Sequence, residues 1–454
     1  MKAKGQGAIG LVVLAALIGM GVAANRAGPR PEPAAAAGQA PSGAWVCPHG
    51  GGQGWRTTLY LSNPSQAPST VRVTSLGGRA PAQVATLNVP AGATAHVDVP
   101  STDRDAATSV EWFGGWVAAG WVATAGGGDT GVTAEPCGST ALTWFAPDGS
   151  TSQGSESTYL VVANPSAADA VFNVVVFAAD RAPIRESRWT DIVLPGYRSM
   201  DLYVNRFAVS EAAVSAEVDV SSGRVAVASL GISAAGGVRS AMGSSALAER
   251  VMLPVAAGVG QSELVVVTPF QGDVPFGAIL LSGQAAQPAG GLTQVTQAGQ
   301  SAKAYPIISD GPSSVDLVTQ GGGLVAAALR SRGSRDTAAT GGAIAPEWSW
   351  VVLPTVAGEP SHPGLVLVNP GPDPAQVTLH LLGAPGETLP ADVTVTVNPS
   401  STAAAPADFL SAAPEAAVLV SSSGAQVLAM GASTSLGSGA DGYALAMGVP
   451  FARP

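Results

Sequence analysis

The stretch "STYLVVANPSAADAVFNVVVFA", residues 157–178, holds two apolar runs separated by Asn164-Pro165. Proline has no N–H to give to a ladder and holds the residue before it in extended backbone, so it ends a strand. The asparagine side chain can bond the turn that follows. The stretch therefore reads as strand, stop, loop, strand. Related phrases begin at Thr57 ("TTLYLSNPSQAPSTVRVTSLG"), Ser262 ("SELVVVTPFQGDVPFGAILLSG") and Pro363 ("PGLVLVNPGPDPAQVTLHLLG"). Their prolines, Pro64, Pro165, Pro269 and Pro370, are spaced by 101, 104 and 101 residues. A fixed period of this kind marks a repeat architecture.

The units continue in a shared order. A further strand ends in a turn ("ATLNVPAG", 85–92; "TDIVLPGY", 190–197; "VTVTVNPS", 393–400), and a closing pair of strands follows, such as "AVSAEVDV" with "RVAVASLG" (213–231). Alternation at Val218 and Val220 and at Val225 and Val227 is the two-residue period of strands. A proline-bearing lead-in strand precedes each unit (45–48, 144–147, 251–254, 351–354), and "MGVP" at 447–450 reads as a fifth copy. About seven short strands per hundred residues is the size of an immunoglobulin-like sandwich. The expected fold is all-β: a tandem array of about four immunoglobulin-like β-sandwich repeats, at 43–140, 141–247, 248–346 and 347–454. A linear or gently curved array is preferred over a ring, because four units are marginal for closure.

Before the repeats, Lys2 and Lys4 lead an uncharged apolar run from Ala8 to Ala24. This is the pattern of a signal segment, at the short limit for a spanning helix. Residues 1–24 are read as a signal anchor or a cleaved signal peptide, with the anchor favoured, and the Pro/Ala-rich residues 25–42 as a spacer. The positive-inside rule then exports the remainder.

Composition narrows the function classes. The 454 residues carry a formal net charge of −10 and only 11% charged residues, with no basic block beyond the N-terminus. Phosphate-backbone binding needs clustered positive charge, so nucleic acid is not an expected partner. Two cysteines in an exported chain, Cys47 and Cys137, most simply form one disulfide.

Unit two carries a family resemblance. "LTWFAPDGSTSQGSESTYLVVANPS" (142–166), "LPGYRSMDLYV" (194–204), "AVSAEVDVSSGRVAVASLG" (213–231) and "AERVMLP" (248–254) resemble a repeat of secreted or membrane-anchored actinobacterial proteins, an uncharacterised family. The resemblance implies an extracytoplasmic β-repeat protein and no particular activity. Unit three departs from it, with Thr268 in place of the asparagine.

No catalytic motif stands out. There is no G-x-S-x-G elbow and no phosphate loop. His49, His96, His362 and His380 do not share a motif, and acids such as Asp98 and Asp201 recur by repeat position, as architecture does. Asp129, Asp336 and Asp441 recur between units, where an aspartate caps turns and calcium is the rarer use. No catalytic, cofactor or metal residues are assigned, and a non-enzyme is expected. Trp55, Trp112, Trp116 and Trp121 cluster in unit one and are the candidate ligand-contact aromatics. The expected function is a membrane-tethered structural or interaction scaffold of the bacterial envelope. The alternative is a cell-wall carbohydrate-binding or adhesive protein using those aromatics. Partners are then the membrane, envelope proteins or cell-wall glycans.

Overall fold

The computed structural model describes residues 42–452 apart from 78–79, 153–155, 257–260, 284–285, 310, 333–335, 357–360 and 438–439. The signal segment read at 1–24 and the spacer read at 25–42 lie outside the described residues, except Ser42, which begins a strand. Among the described residues no helix is long and apolar enough to cross a membrane.

Unit one sets the pattern. Its strands are β1 (Ser42–Cys47), β2 (Arg56–Asn63), β3 (Ser69–Leu76), β4 (Ala82–Val89), β5 (Ala93–Val99), β6 (Ala107–Gly114), β7 (Ala118–Thr124) and β8 (Val132–Pro136). They form two antiparallel sheets ordered β1-β6-β3-β4 and β5-β2-β7-β8. The alternating burial of β3, with Val71 and Val73 fully buried, turns one face of its sheet onto Leu59 and Leu61 of the other. Units two, three and four repeat this pair of sheets, with small additions in the last two. Each unit therefore has at least eight strands. The one missed in the sequence is β8 and its counterparts Val238–Met242, Thr337–Gly341 and the last part of Ala440–Met447. "VTAEP", "VRSAM" and "TAATG" are too short and too poor in large apolar residues to read as strands.

The opening asparagines hold the sandwiches together. Asn164 Nδ2 donates to the carbonyls of Ala168 (2.9 Å) and Leu194 (3.1 Å), and its Oδ1 accepts the Ser166 amide (3.0 Å). Asn63 makes the same bonds to Ala67, Val89 and Ser65, and Asn369 to Asp373, Val397 and Gly371. All three are fully buried. Each ties the end of one strand to the loop after it and to a strand of the opposite sheet. In unit three the task passes to Gln297, which donates to the Val266 carbonyl (3.0 Å) and accepts from the Tyr305 hydroxyl (3.1 Å), while Thr268 bonds the Ala298 carbonyl (2.6 Å).

The four units close into a ring, which corrects the expectation of an open array. Successive units abut through apolar joints, such as Phe145 and Phe177 of unit two against Val267 and Ala326 of unit three. The cores of units three and four merge. Unit four then returns to unit one. The Tyr60 hydroxyl donates to the Val356 carbonyl (2.8 Å), the Thr94 amide to the Gly383 carbonyl (2.8 Å), and Trp116 lies 5.1 Å from Phe451, centroid to centroid. Four sandwiches suffice because each puts a slim edge strand at the centre. β8 and its three counterparts pack against one another around the axis. Small side chains allow this: Thr133 and Ser240 bond across neighbouring strands at 2.7 Å, and Ala134 packs on Ala444 and Ala446.

At one end of the axis a single carboxylate gathers all four strands. Asp336 accepts the amides of Tyr443 (2.9 Å), Thr337 (2.8 Å) and Val132 (3.3 Å), and the Val238 amide also faces it. Gly131 must lack a side chain there, since a Cβ would lie 2.3 Å from Asp336 Oδ1.

The C-terminal "MGVP" is also reassigned. In each unit the segment leaving the axial strand bridges the unit's own lead-in strand, at Val46–Gly138, Phe145–Ser244 and Met252–Ala343. Val351 pairs with Val449 in the same way. The final copy is therefore the fourth such crossing segment, and the lead-in strands number four.

Asn164→Ala should cost about 2–3 kcal/mol in urea unfolding, because it strands buried carbonyls. Gln297→Ala should cost a similar amount. A loss within error at either position would contradict the clasp. Burial pushes the Asp336 carboxyl up to about 7 against its amides, whereas an unfolded aspartate titrates near 4. Folding thus takes up a proton across that interval, so the contribution of the acid is greatest at the low end and lost as pH rises through it. The stability difference between wild type and Asp336→Asn should shift against the wild type from about pH 4 to about pH 7 and be flat above. A shift in favour of the wild type would overturn this reading.

Candidate functional site

At the other end of the axis the strands part. A cavity of about 350 Å³ opens between the ends of all four axial strands, with Pro136, Met242, Gly341 and Met447 at corresponding positions on its wall. Trp350, Pro147, Pro450 and Ala327 extend the apolar lining, and the outer rim carries the exposed residues Ser245, Ala246, Ile344 and Ala345. The volume is at the lower end of small-molecule sites.

One polar group stands out in this wall. Glu135, on β8, is 3% exposed and its Oε1 has no hydrogen-bond partner. Burial raises its carboxyl well above the ordinary range, and Asp148 adds to the rise. The Met242 amide and the Thr340 hydroxyl offset it in part. The corresponding positions on the other axial strands are Ala241, Thr340 and Ala446, so the acid is unique to unit one. Glu347, half-buried, is the second acid of the lining, which contains no Lys, Arg or His.

A different acid cluster is held by an arginine, although Asp148 Oδ1 has no hydrogen-bond partner. Arg239, 1% exposed, bonds Asp148 Oδ2 (3.1 Å), the Asp148 carbonyl (3.0 Å) and the Glu156 carboxylate. A second cavity of about 400 Å³ borders Glu156, Tyr203 and Asn205. Its acid is already neutralised by Arg239, so it offers no comparable free group.

The four aromatics singled out in the sequence serve packing. Trp55, Trp112 and Trp121 are buried, at 5%, 5% and 1% exposure, and present no face to solvent. Trp55 Nε1 donates to Asp129 (3.0 Å) beneath Arg104, and Trp112 stacks on Trp45 at 5.5 Å. Trp116 is half-buried in the joint with unit four. Cys47 and Cys137 form a disulfide that ties β1 to the segment leaving β8.

The inter-unit aspartates are likewise engaged. Asp129 pairs with Arg104 at 2.9 Å, Asp336 holds the axis, and the Asp441 side chain lies outside the described residues. Among the described residues no three His, Cys, Asp or Glu side chains come together as metal ligands. His49 is fully buried between the Gly50 carbonyl and the Thr108 hydroxyl, and burial lowers its pKa to about 4. It packs as a neutral core residue. The sequence reading missed Glu135. The only signal was a lone acid in "VTAEPCG" with no counterpart in the other units.

Residues 106–307 match the model of a family of unknown function, DUF5719. The match runs from the last strands of unit one through all of unit two to the strand Ser301–Ile307 of unit three. It contains the motifs at 142–254 on which the resemblance rests, and it describes an uncharacterised family without naming an organism or an anchor. No curated protein matches this chain.

Proposed function

We propose that this chain is a non-catalytic, membrane-tethered, extracytoplasmic β-repeat protein of a bacterial envelope, acting as an interaction scaffold. The observation that carries the proposal is the Cys47–Cys137 disulfide, which closes 90 residues of sequence across unit one. Such a bond persists in oxidising compartments and is rare in the cytosol. The Lys-led apolar run at 8–24 supplies the tether on this reading, and the family resemblance is the support for an actinobacterial origin. Envelope proteins are the favoured partners. Cell-wall glycans are disfavoured, since the aromatics that suggested them are buried. We keep the units as immunoglobulin-like in a broad sense, because their size and paired antiparallel sheets support it. Their strand order departs from that of a constant-type immunoglobulin domain.

Fractionation of cells producing the full chain, followed by protease shaving of intact spheroplasts, tests the tether. The chain should appear in the membrane fraction and lose its body to external protease. Recovery in the cytosol with both thiols free would overturn the proposal. Reducing the disulfide should lower stability by up to about 4–5 kcal/mol, the loop-closure estimate for its span, measured by urea unfolding with and without reductant.

A further inference from the structure

We propose that the axial cavity is a binding site for a small organic amine with an apolar body, and that Glu135 is the group that recognises its nitrogen. This goes beyond the scaffold reading and rests on the cavity alone.

Four observations converge on this chemistry. Glu135 is nine-tenths buried or more, lines the cavity and has an orphan Oε1. A buried acceptor without a partner costs about 1–3 kcal/mol, and more if charged, which a ligand N–H would relieve. The lining offers no cation to do so, and its second titratable group, Glu347, is also acidic. The rest of the wall is mostly apolar, from Trp350, Met242 and Met447 to the prolines, with hydroxyls only at Ser244, Ser245 and Thr340. An anionic ligand would meet two acids in a poorly solvated space. A neutral apolar ligand would leave Oε1 unpaired. An ammonium on an apolar body satisfies both wall and acid, and its charge makes the ionised form of Glu135 favourable.

The comparison with the other units sharpens the choice. Glu156, on a strand of unit two, is also buried, at 8% exposure, but already has Arg239 as its partner. At Glu135 the cavity lining supplies no such arginine.

Calorimetric titration of the full chain with phenylbutylamine, phenylbutanol and phenylbutyrate tests the proposal. The amine should bind at least about tenfold tighter than the alcohol, as expected for a hydrogen bond to a charged group, and the carboxylate should not bind. Glu135→Gln should erase the preference for the amine, whereas Glu347→Gln should leave it. Ala345→Trp fills the cavity from its exposed rim and should abolish binding. If Glu135→Gln does not fold, the comparison of wild type with Ala345→Trp still decides. Equal binding of amine and alcohol, a preference that survives Glu135→Gln or depends on Glu347, binding that survives Ala345→Trp, or no binding at all would each overturn the proposal. None of these outcomes bears on localisation, so this proposal and the scaffold reading fail separately.

Discussion

Everything in this molecule depends on four slim strands meeting at one axis. A sandwich of this size buries its own core, so nothing inside one unit demands a ring. The demand comes from the innermost strand, whose outer edge would otherwise expose unpaired amides and a row of small side chains. Packing the four edges together covers them, and Asp336 takes the amides that remain at one end. The same geometry leaves a gap at the other end, where the chain turns away from the axis into the lead-in strands. The cavity is thus a consequence of closure: strands held tightly at the carboxylate diverge where no comparable group draws them in.

Repetition and function separate along this axis. The buried Asn clasp recurs at Asn63, Asn164 and Asn369 and is replaced by Gln297 where the asparagine is lost, as a structural requirement should be. Glu135 has no such recurrence. Its equivalents are two alanines and a threonine, and a buried carboxyl with one oxygen unpaired is costly to keep. The residues that differ between units, set in a wall built by residues that do not, are where specific recognition can sit in a repeat protein.

Much of the fold was legible in the sequence. Proline spacing near a hundred residues marked the repetition, Val alternation gave the strands, and the two cysteines were correctly paired. The axial strands were not legible. "TAATG" has no large apolar residue, because its neighbours are other backbones at close range rather than a side-chain core. Closure was missed for the same reason, since the contacts that make it, such as Tyr60 to Val356, join residues nearly three hundred positions apart. "MGVP" misled because it has the composition of a lead-in strand but pairs beside one, Val449 against Val351. The tryptophans misled because their crowding in unit one reflects a core and a joint: Trp116 meets Phe451 where the ring closes.

The central claim is closure of unit four onto unit one. Asp98 and Glu415 are exposed, lie on the first and last units, and both act on Tyr60 at the joint. Spin labels at these two positions, measured by pulsed electron resonance on the full chain, test it most directly. The account predicts a single narrow distance distribution at the short end of the measurable range. A broad distribution centred on a separation of several sandwich widths, as an open array of four modules would give, would contradict it.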